Sequence, residues 1–202
     1  NFNFSVMPSS VKHKGGILNS EKFLFGRTGR PLTEKEKLQN KDQIFLAKIP
    51  ITFAIGLEVG IEKISIKQIE QIYTGKIKNW QEIGGADAKI ILVGREKNEA
   101  LFLALKEEYQ FFNNVKFERT FTRDDDVITF LSSFQGRHAI AFGAKPNFDK
   151  INILPVTNFF TGVKVGLVYD KKNSNHPMIK KAKEYAKSPE WTIQVKKVNM
   201  LI

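Results

Sequence analysis

Apolar residues return along this chain with two different periods. Behind Ser65-x-x-Gln68, Ile66, Ile69 and Ile72 or Tyr73 recur at helical spacing. The Ser and Gln form a capping box, in which each side chain serves the other's backbone amide, so the pattern predicts a helix starting near Ser65. Gly75 stands where that helix needs a left-handed residue to stop, and Lys76 places a cation near the carbonyl end of its dipole. Trp80 and Ile83 then fold back as an apolar clip, and Gly84-Gly85 makes a tight turn. Residues 89–93, Lys-Ile-Ile-Leu-Val, read as a buried strand ending at Gly94.

The same periods order the rest of the chain. Residues 1–7 alternate like a short strand, and Pro8-Ser9-Ser10 with Gly15-Gly16 predicts a loop after it. Phe23-Leu24-Phe25-Gly26 reads as a buried strand delivering Arg27-Thr28-Gly29-Arg30 to its carboxyl end, and Thr33-x-x-Glu36 caps a brief helix running toward Asn40. Residues 45–55 are apolar and β-branched around Pro50, which predicts an edge strand or a strand crossing between lobes. Asn98 is the expected N-cap of a helix from Glu99 to about Tyr109. Phe117, Arg119 and Phe121 alternate as a strand. Asp124-Asp125-Asp126 opens a helix with Val127, Ile128, Leu131 and Phe134 on one face and Gly136 at its close. Strands follow at 139–142 and 163–169. The last helix starts at Asn175 or His176 with Pro177 in its first turn, and turns Ile179, Ala182 and Ala186 inward. Strands alternating with helices predict an α/β fold.

Composition narrows the function classes. Of 202 residues 42% are apolar, enough for one domain or two small lobes, and no run reaches the ~18 to 20 apolar residues of a membrane span. There is no cysteine, which excludes disulfides and thiol chemistry. The net charge of +11 raises the question of nucleic acid, but the lysines are spread along the chain, with local density only in Lys180-Lys181-x-Lys183 and Lys196-Lys197, and no basic stripe carries interleaved stacking aromatics, so nucleic acid is not an expected partner. No Gly-x-Ser-x-Gly elbow, phosphate-binding Gly-Lys-Ser/Thr loop or convergent His/Asp/Ser set is present, so no enzyme and no cofactor are expected. Three consecutive aspartates point about 100° apart on a helix and oppose its dipole rather than converge on a metal ion. The pairs Phe111-Phe112 and Phe159-Phe160 fall in expected loops as a candidate interaction surface.

In open α/β folds, ligands bind at strand carboxyl ends beside helix N-termini. Three stretches qualify: Arg27 to Arg30, Arg95 to Glu99, and Thr122 to Asp126.

The order of a helix, Ile72-Tyr73-Thr74-Gly75-Lys76-Ile77-Lys78-Asn79-Trp80, Gly84-Gly85, an apolar strand and Gly94-Arg95 resembles the second lobe of phosphate-type extracytoplasmic solute-binding proteins, the receptors that feed ABC importers. Arg30-Pro31-Leu32-Thr33, the run from Ala139 to Gly143, the strand from Val165 to Tyr169 and Ser188-Pro189-Glu190 extend the likeness over roughly residues 26–200. The resemblance implies a two-lobed type II periplasmic-binding-protein fold with crossing strands. One lobe would hold residues 1–50 and 156–202, the other residues 51–155. It also implies a periplasmic or extracytoplasmic location, with the chain opening on Asn1 after removal of a signal segment. The expected partners are phosphate or another small oxyanion and an ABC permease or other extracytoplasmic protein. The ligand-binding residues it implies are Arg27, Thr28, Arg30, Arg95, Asn98 and Glu99.

Two departures from the family pattern change the chemistry. After the arginine at Arg95, the family's Ser-Gly-Thr trio cradles phosphate, whereas this chain has Glu99-Ala100-Leu101. Losing a donor to a buried anion costs about 1.5–3 kcal/mol, and a carboxylate adds repulsion. In the opening lobe, the Gly-Ser/Thr-rich loop and following helix have no clear counterpart before Glu21, and the expected acid is replaced by Phe23 or Leu24. These departures support an alternative, a transport-inactive relative acting as a protein-interaction or sensor module. In either case Arg95 and Glu99, four residues apart, could form a structural ion pair.

Overall fold

A computed structural model describes residues 15–202, and the expected strand at residues 1–7 lies outside them. The chain divides into two compact units, one of the described residues up to Lys48 with Lys164–Met200, the other of Ile49–Val163.

In the first unit, α1 (Gly15–Lys22) precedes β1 (Gly26–Thr28), and β1 pairs antiparallel with β9 (Gly162–Asp170), Thr28 opposite Gly166. The expected loop at Gly15-Gly16 is thus a helix. The glycines there serve close packing rather than a turn: a Cβ on Gly16 would lie 2.2 Å from the Arg27 carbonyl oxygen, and one on Gly26 1.7 Å from that of Gly16. The strand expected from Phe23 starts instead at Gly26, leaving Phe23 half exposed. α2 (Glu34–Leu38) carries the Thr33/Glu36 capping box. One long C-terminal helix was expected, but two form: α6 (Pro177–Tyr185), capped by His176, and α7 (Pro189–Lys197), capped by Ser188. Ile179 packs with Ile44 and Tyr169, and the Trp191 indole donates to the Leu46 carbonyl at 2.7 Å.

β2 (Lys41–Ile55) contributes to both units. It lies between β9 and β6 (Ala139–Ala144) in the sheet order, so the edge reading is corrected. Pro50, which has no N–H to give, stands immediately before the first residue paired to β6, Ile51 opposite Ala144.

The second unit is a three-layer α/β sandwich. β4 (Ile91–Arg95) runs parallel to β6 on one side and to β5 (Arg119–Phe121) on the other, while β7 (Ile153–Leu154) pairs with β2. A two-stranded parallel ladder joins β3 (Ile64–Ser65) to β8 (Val156–Thr157). The period of two along the strands sorts the core into two faces. Phe53, Ile55, Ile140 and Phe142 pack with Ile69 and Ile72 of α3 (Ile66–Tyr73) and with Phe102 and Leu105 of α4 (Ala100–Glu108). Ala54, Val93, Ala139 and Ala141 pack with Val127 and Leu131 of α5 (Asp124–Leu131).

The local signals around α3 hold. Ser65 Oγ accepts from the Gln68 amide at 3.2 Å and Gln68 Oε1 from the Ser65 amide at 2.9 Å, while Gly75 and Gly84 take φ of +73° and +86°. Trp80 is fully buried and donates through its indole to the His138 carbonyl at 2.7 Å. Three aromatic assignments change. α5 ends at Leu131, so Phe134 is 72% exposed under the Arg137 guanidinium, 3.6 Å away. Phe112 is fully buried in the aromatic core, and Phe159 packs edge-on against Phe53, leaving only Phe160 of the two expected surface pairs as a large exposed ring. Among the described residues, no helix is long and apolar enough to cross a membrane.

Candidate functional site

Three parallel strands, β5, β4 and β6, end on the same edge of the second unit, and the polar residues that follow them meet there. Arg95 is the last residue of β4 and is 7% exposed. Its guanidinium donates to Asp124, the first residue of α5, and from Nη2 to the Thr122 carbonyl at 2.7 Å. Asp124 also accepts from the side-chain amide of Asn147, in the short 3-10 turn Lys145–Asn147 that follows β6. One arginine, one carboxylate and one amide thus tie three strand ends together. The Nε of Arg95 is buried and has no hydrogen-bond partner.

Two helix N-termini flank this cluster and differ in how their amides are used. α4 is capped by Glu99, not by Asn98 as expected, and the Glu99 carboxylate accepts from the amides of Leu101 at 2.8 Å and Phe102 at 3.0 Å. The longer acid reaches back over its own first turn and brings a full negative charge to the positive end of the dipole, which an amide cannot. Asn98 is exposed in the turn before it. At α5, Arg123 holds the cap position with no side-chain hydrogen bond to the first-turn amides, and its guanidinium pairs at the surface with Asp125 at 3.1 Å. The three aspartates diverge, and no group of three His, Cys, Asp or Glu side chains able to hold a metal ion occurs among the described residues.

The ion pair expected between Arg95 and Glu99 does not form. Arg95 pairs with Asp124 instead, because the parallel β4/β5 ladder brings the two strand ends together while Glu99 turns to its own helix. The sequence placed Thr122 to Asp126 among the ligand stretches but gave no sign of this pairing, nor of Asn147.

In the first unit, Arg27 projects from β1 into solvent. Thr28 is buried, donating to the Gly166 carbonyl at 3.3 Å and accepting from the Gln43 side-chain amide. Arg30 makes two 2.8 Å hydrogen bonds to Glu36 and a third to the Pro31 carbonyl. Glu36 also accepts from the Thr33 amide at 2.8 Å. The Arg30 hydrogen bonds, helped by those from Thr33, hold the Glu36 carboxyl down to about 2, and Glu36 in turn raises the arginine. Arg30 is therefore a brace for the start of α2.

A family model described as a PBP superfamily domain matches residues 18–146. The phosphate-binding protein PstS of Bacillus subtilis is 41% identical over 64 residues, 31% of this chain and 21% of that protein. PstS of Borreliella burgdorferi is 29% identical over 80 residues, 40% of this chain and 29% of that one. The matched segments thus span less than a third of the length of either curated relative. A Clostridium perfringens protein crystallised with bound phosphate and assigned as an ABC transporter substrate-binding protein superposes with a TM-score of 0.69 at 21% identity, over 92% of this chain and 82% of that one. With the family model covering well over half its length and a mixed α/β sheet of this topology, the chain belongs to the PBP superfamily.

Proposed function

We propose that the chain is an extracytoplasmic solute-binding protein of the phosphate type, which captures a small oxyanion and delivers it to an ABC permease. The observation that carries this reading is Arg95, a buried guanidinium at the carboxyl ends of three parallel strands, beside an α5 N-terminus whose amides no side chain caps. Asp124 and the Thr122 carbonyl orient the guanidinium, and the α5 amides add donors suited to an anion. Asn98, exposed at the turn before α4, would add a neutral donor. The likeness to phosphate-binding relatives supports phosphate as the first ligand to test, and no catalytic step belongs to this reading.

A specific observation favours a second reading. The Glu99 carboxylate already occupies the α4 amides of Leu101 and Phe102, which suits a relative that has lost transport and acts as an interaction or sensor module. Isothermal titration of the purified chain with phosphate, sulfate, molybdate and tungstate at low salt separates the two. Saturable micromolar or tighter binding of one anion, abolished by Arg95→Ala, is the expected result. Flat titrations for all four would set the receptor reading aside in favour of the module.

A further inference from the structure

The positive charge of this protein is not shared between its units. The second unit carries fourteen Lys and Arg against fourteen Asp and Glu and is neutral, whereas the described residues of the first carry sixteen against seven. The excess is concentrated after Val163, where nine lysines and no arginine face only Asp170, Glu184 and Glu190. Two of these acids are engaged: Asp170 lies 3.7 Å from the buried Lys41 and 3.8 Å from Lys172, and Glu190 is held low by hydrogen bonds from its own backbone amide and from Ser188 at the start of α7. Lys180, Lys187, Lys196 and Lys197 are exposed.

We infer that the α6–α7 face of the first unit is an attachment surface for an anionic lipid bilayer. Charge complementarity gives the sign of the partner, and side-chain chemistry gives its kind. Arginine, the residue of bidentate recognition, is absent from the stretch, while lysine supplies compact charges on flexible stems suited to a diffuse field of headgroups. Apolar side chains stand among the lysines. On α7, Ile193 is 52% exposed and lies one turn from Lys196 and Lys197, and Val198 just beyond is 58% exposed. Lysines that can extend to headgroups around aliphatic side chains that can enter the interface are the pattern of a surface-lying amphipathic helix. Nucleic acid fits less well, because no exposed aromatic series follows the lysines to stack on bases. The inference stands whether or not the chain binds an oxyanion.

Co-sedimentation of the full chain with vesicles tests it. Binding is expected to vesicles of phosphatidylglycerol mixed about one to three with phosphatidylcholine, and to be absent from pure phosphatidylcholine. It should fall steeply as salt is raised from roughly 0.02 M to 0.2 M, as the Debye length shortens. Lys196→Glu with Lys197→Glu should weaken binding at least about thirtyfold, roughly fivefold for each surface lysine removed. Lys76→Glu with Lys78→Glu, the same charge change on exposed lysines of the neutral unit, should leave binding within about twofold. The salt series on the unaltered chain holds the proposal to account even if a variant folds poorly. Absence of binding to the anionic vesicles, equal loss in both variants, or displacement from the vesicles by duplex DNA at equal phosphate concentration would each overturn it.

Discussion

Arg30 and Arg95 are each an arginine paired with a carboxylate near the start of a helix, and the two pairs do different work. In the first unit, Arg30 is 42% exposed at its side chain against 11% for Glu36, and meets it with both terminal nitrogens inside a capping box that Thr33 completes. The three hydrogen bonds its guanidinium makes all stay within the local turn. In the second unit, Arg95 is 8% exposed at its side chain and Asp124 12%, the partners come from different elements, and one donor of the guanidinium has no partner. Solvent reaches the arginine of the first pair, whereas both partners of the second are buried. Under the proposed function, a buried guanidinium with an unpartnered donor at strand carboxyl ends marks the ligand site, and a half-exposed one whose hydrogen bonds all stay within its own turn braces the scaffold.

The largest expected effect comes from breaking the buried pair from its acidic side. Asp124→Ala leaves the Arg95 guanidinium buried with only the Thr122 carbonyl and also releases Asn147. The expected destabilisation is about 3–5 kcal/mol, the range for a buried ion pair that loses one partner. A urea unfolding curve measures it. A shift below about 1 kcal/mol, the range of an exposed pair, would mean that water reaches Arg95 and that the contrast with Arg30 is false.

An intermediate effect sharpens the contrast on the ligand side. The double change Glu99→Ser with Leu101→Thr removes the carboxylate from the α4 amides and restores hydroxyl donors beside them. Each donor regained by a buried anion is worth about 1.5–3 kcal/mol, so phosphate affinity should rise at least tenfold by titration. Unchanged affinity would mean that the anion does not use the α4 N-terminus.

What was legible in the sequence was local. The Ser65/Gln68 and Thr33/Glu36 boxes and the left-handed Gly75 and Gly84 are decided within a few residues of chain, and each appears where its signal stands. The apolar run at residues 139–142 reads as a buried strand, and its neighbours give one face Ile140 and Phe142 and the other Ala139 and Ala141. What failed was decided at a distance. Gly16 reads as a loop residue until β1 lies against it, and Phe112 reads as surface until Phe53 and Tyr73 close over it. The same limit governs the candidate site. Arg95 was singled out by its place after an apolar strand, but its acidic partner lies 29 residues on, and only the β4/β5 ladder selects Asp124 over the nearer Glu99. The cap itself was misassigned by one residue, since Asn98 and Glu99 can both cap a helix and the choice rests on which side chain folds back.

The smallest expected effect lies in the pair with the exposed arginine and is read best against pH. At neutral pH, Arg30→Ala should cost about 1 kcal/mol, the upper end for surface ion pairs, because Arg30 is solvent-exposed while Glu36 is buried. Glu36 titrates near 2 in the folded chain, chiefly because Arg30 donates to it, against an ordinary value of 4.5. The unfolded chain therefore binds the proton more readily, and the stabilisation from this carboxylate is complete above about 4.5 and disappears as the pH falls toward about 2. In Arg30→Ala the folded value should move up toward 4.5, so the variant and the parent should differ at pH 6 and converge as both approach pH 2. Thermal melts of the two chains across that window decide the point. A constant gap at every pH would assign the effect of Arg30 to packing of its aliphatic stem, and the pair would no longer serve as the electrostatic counterpart of Arg95 and Asp124.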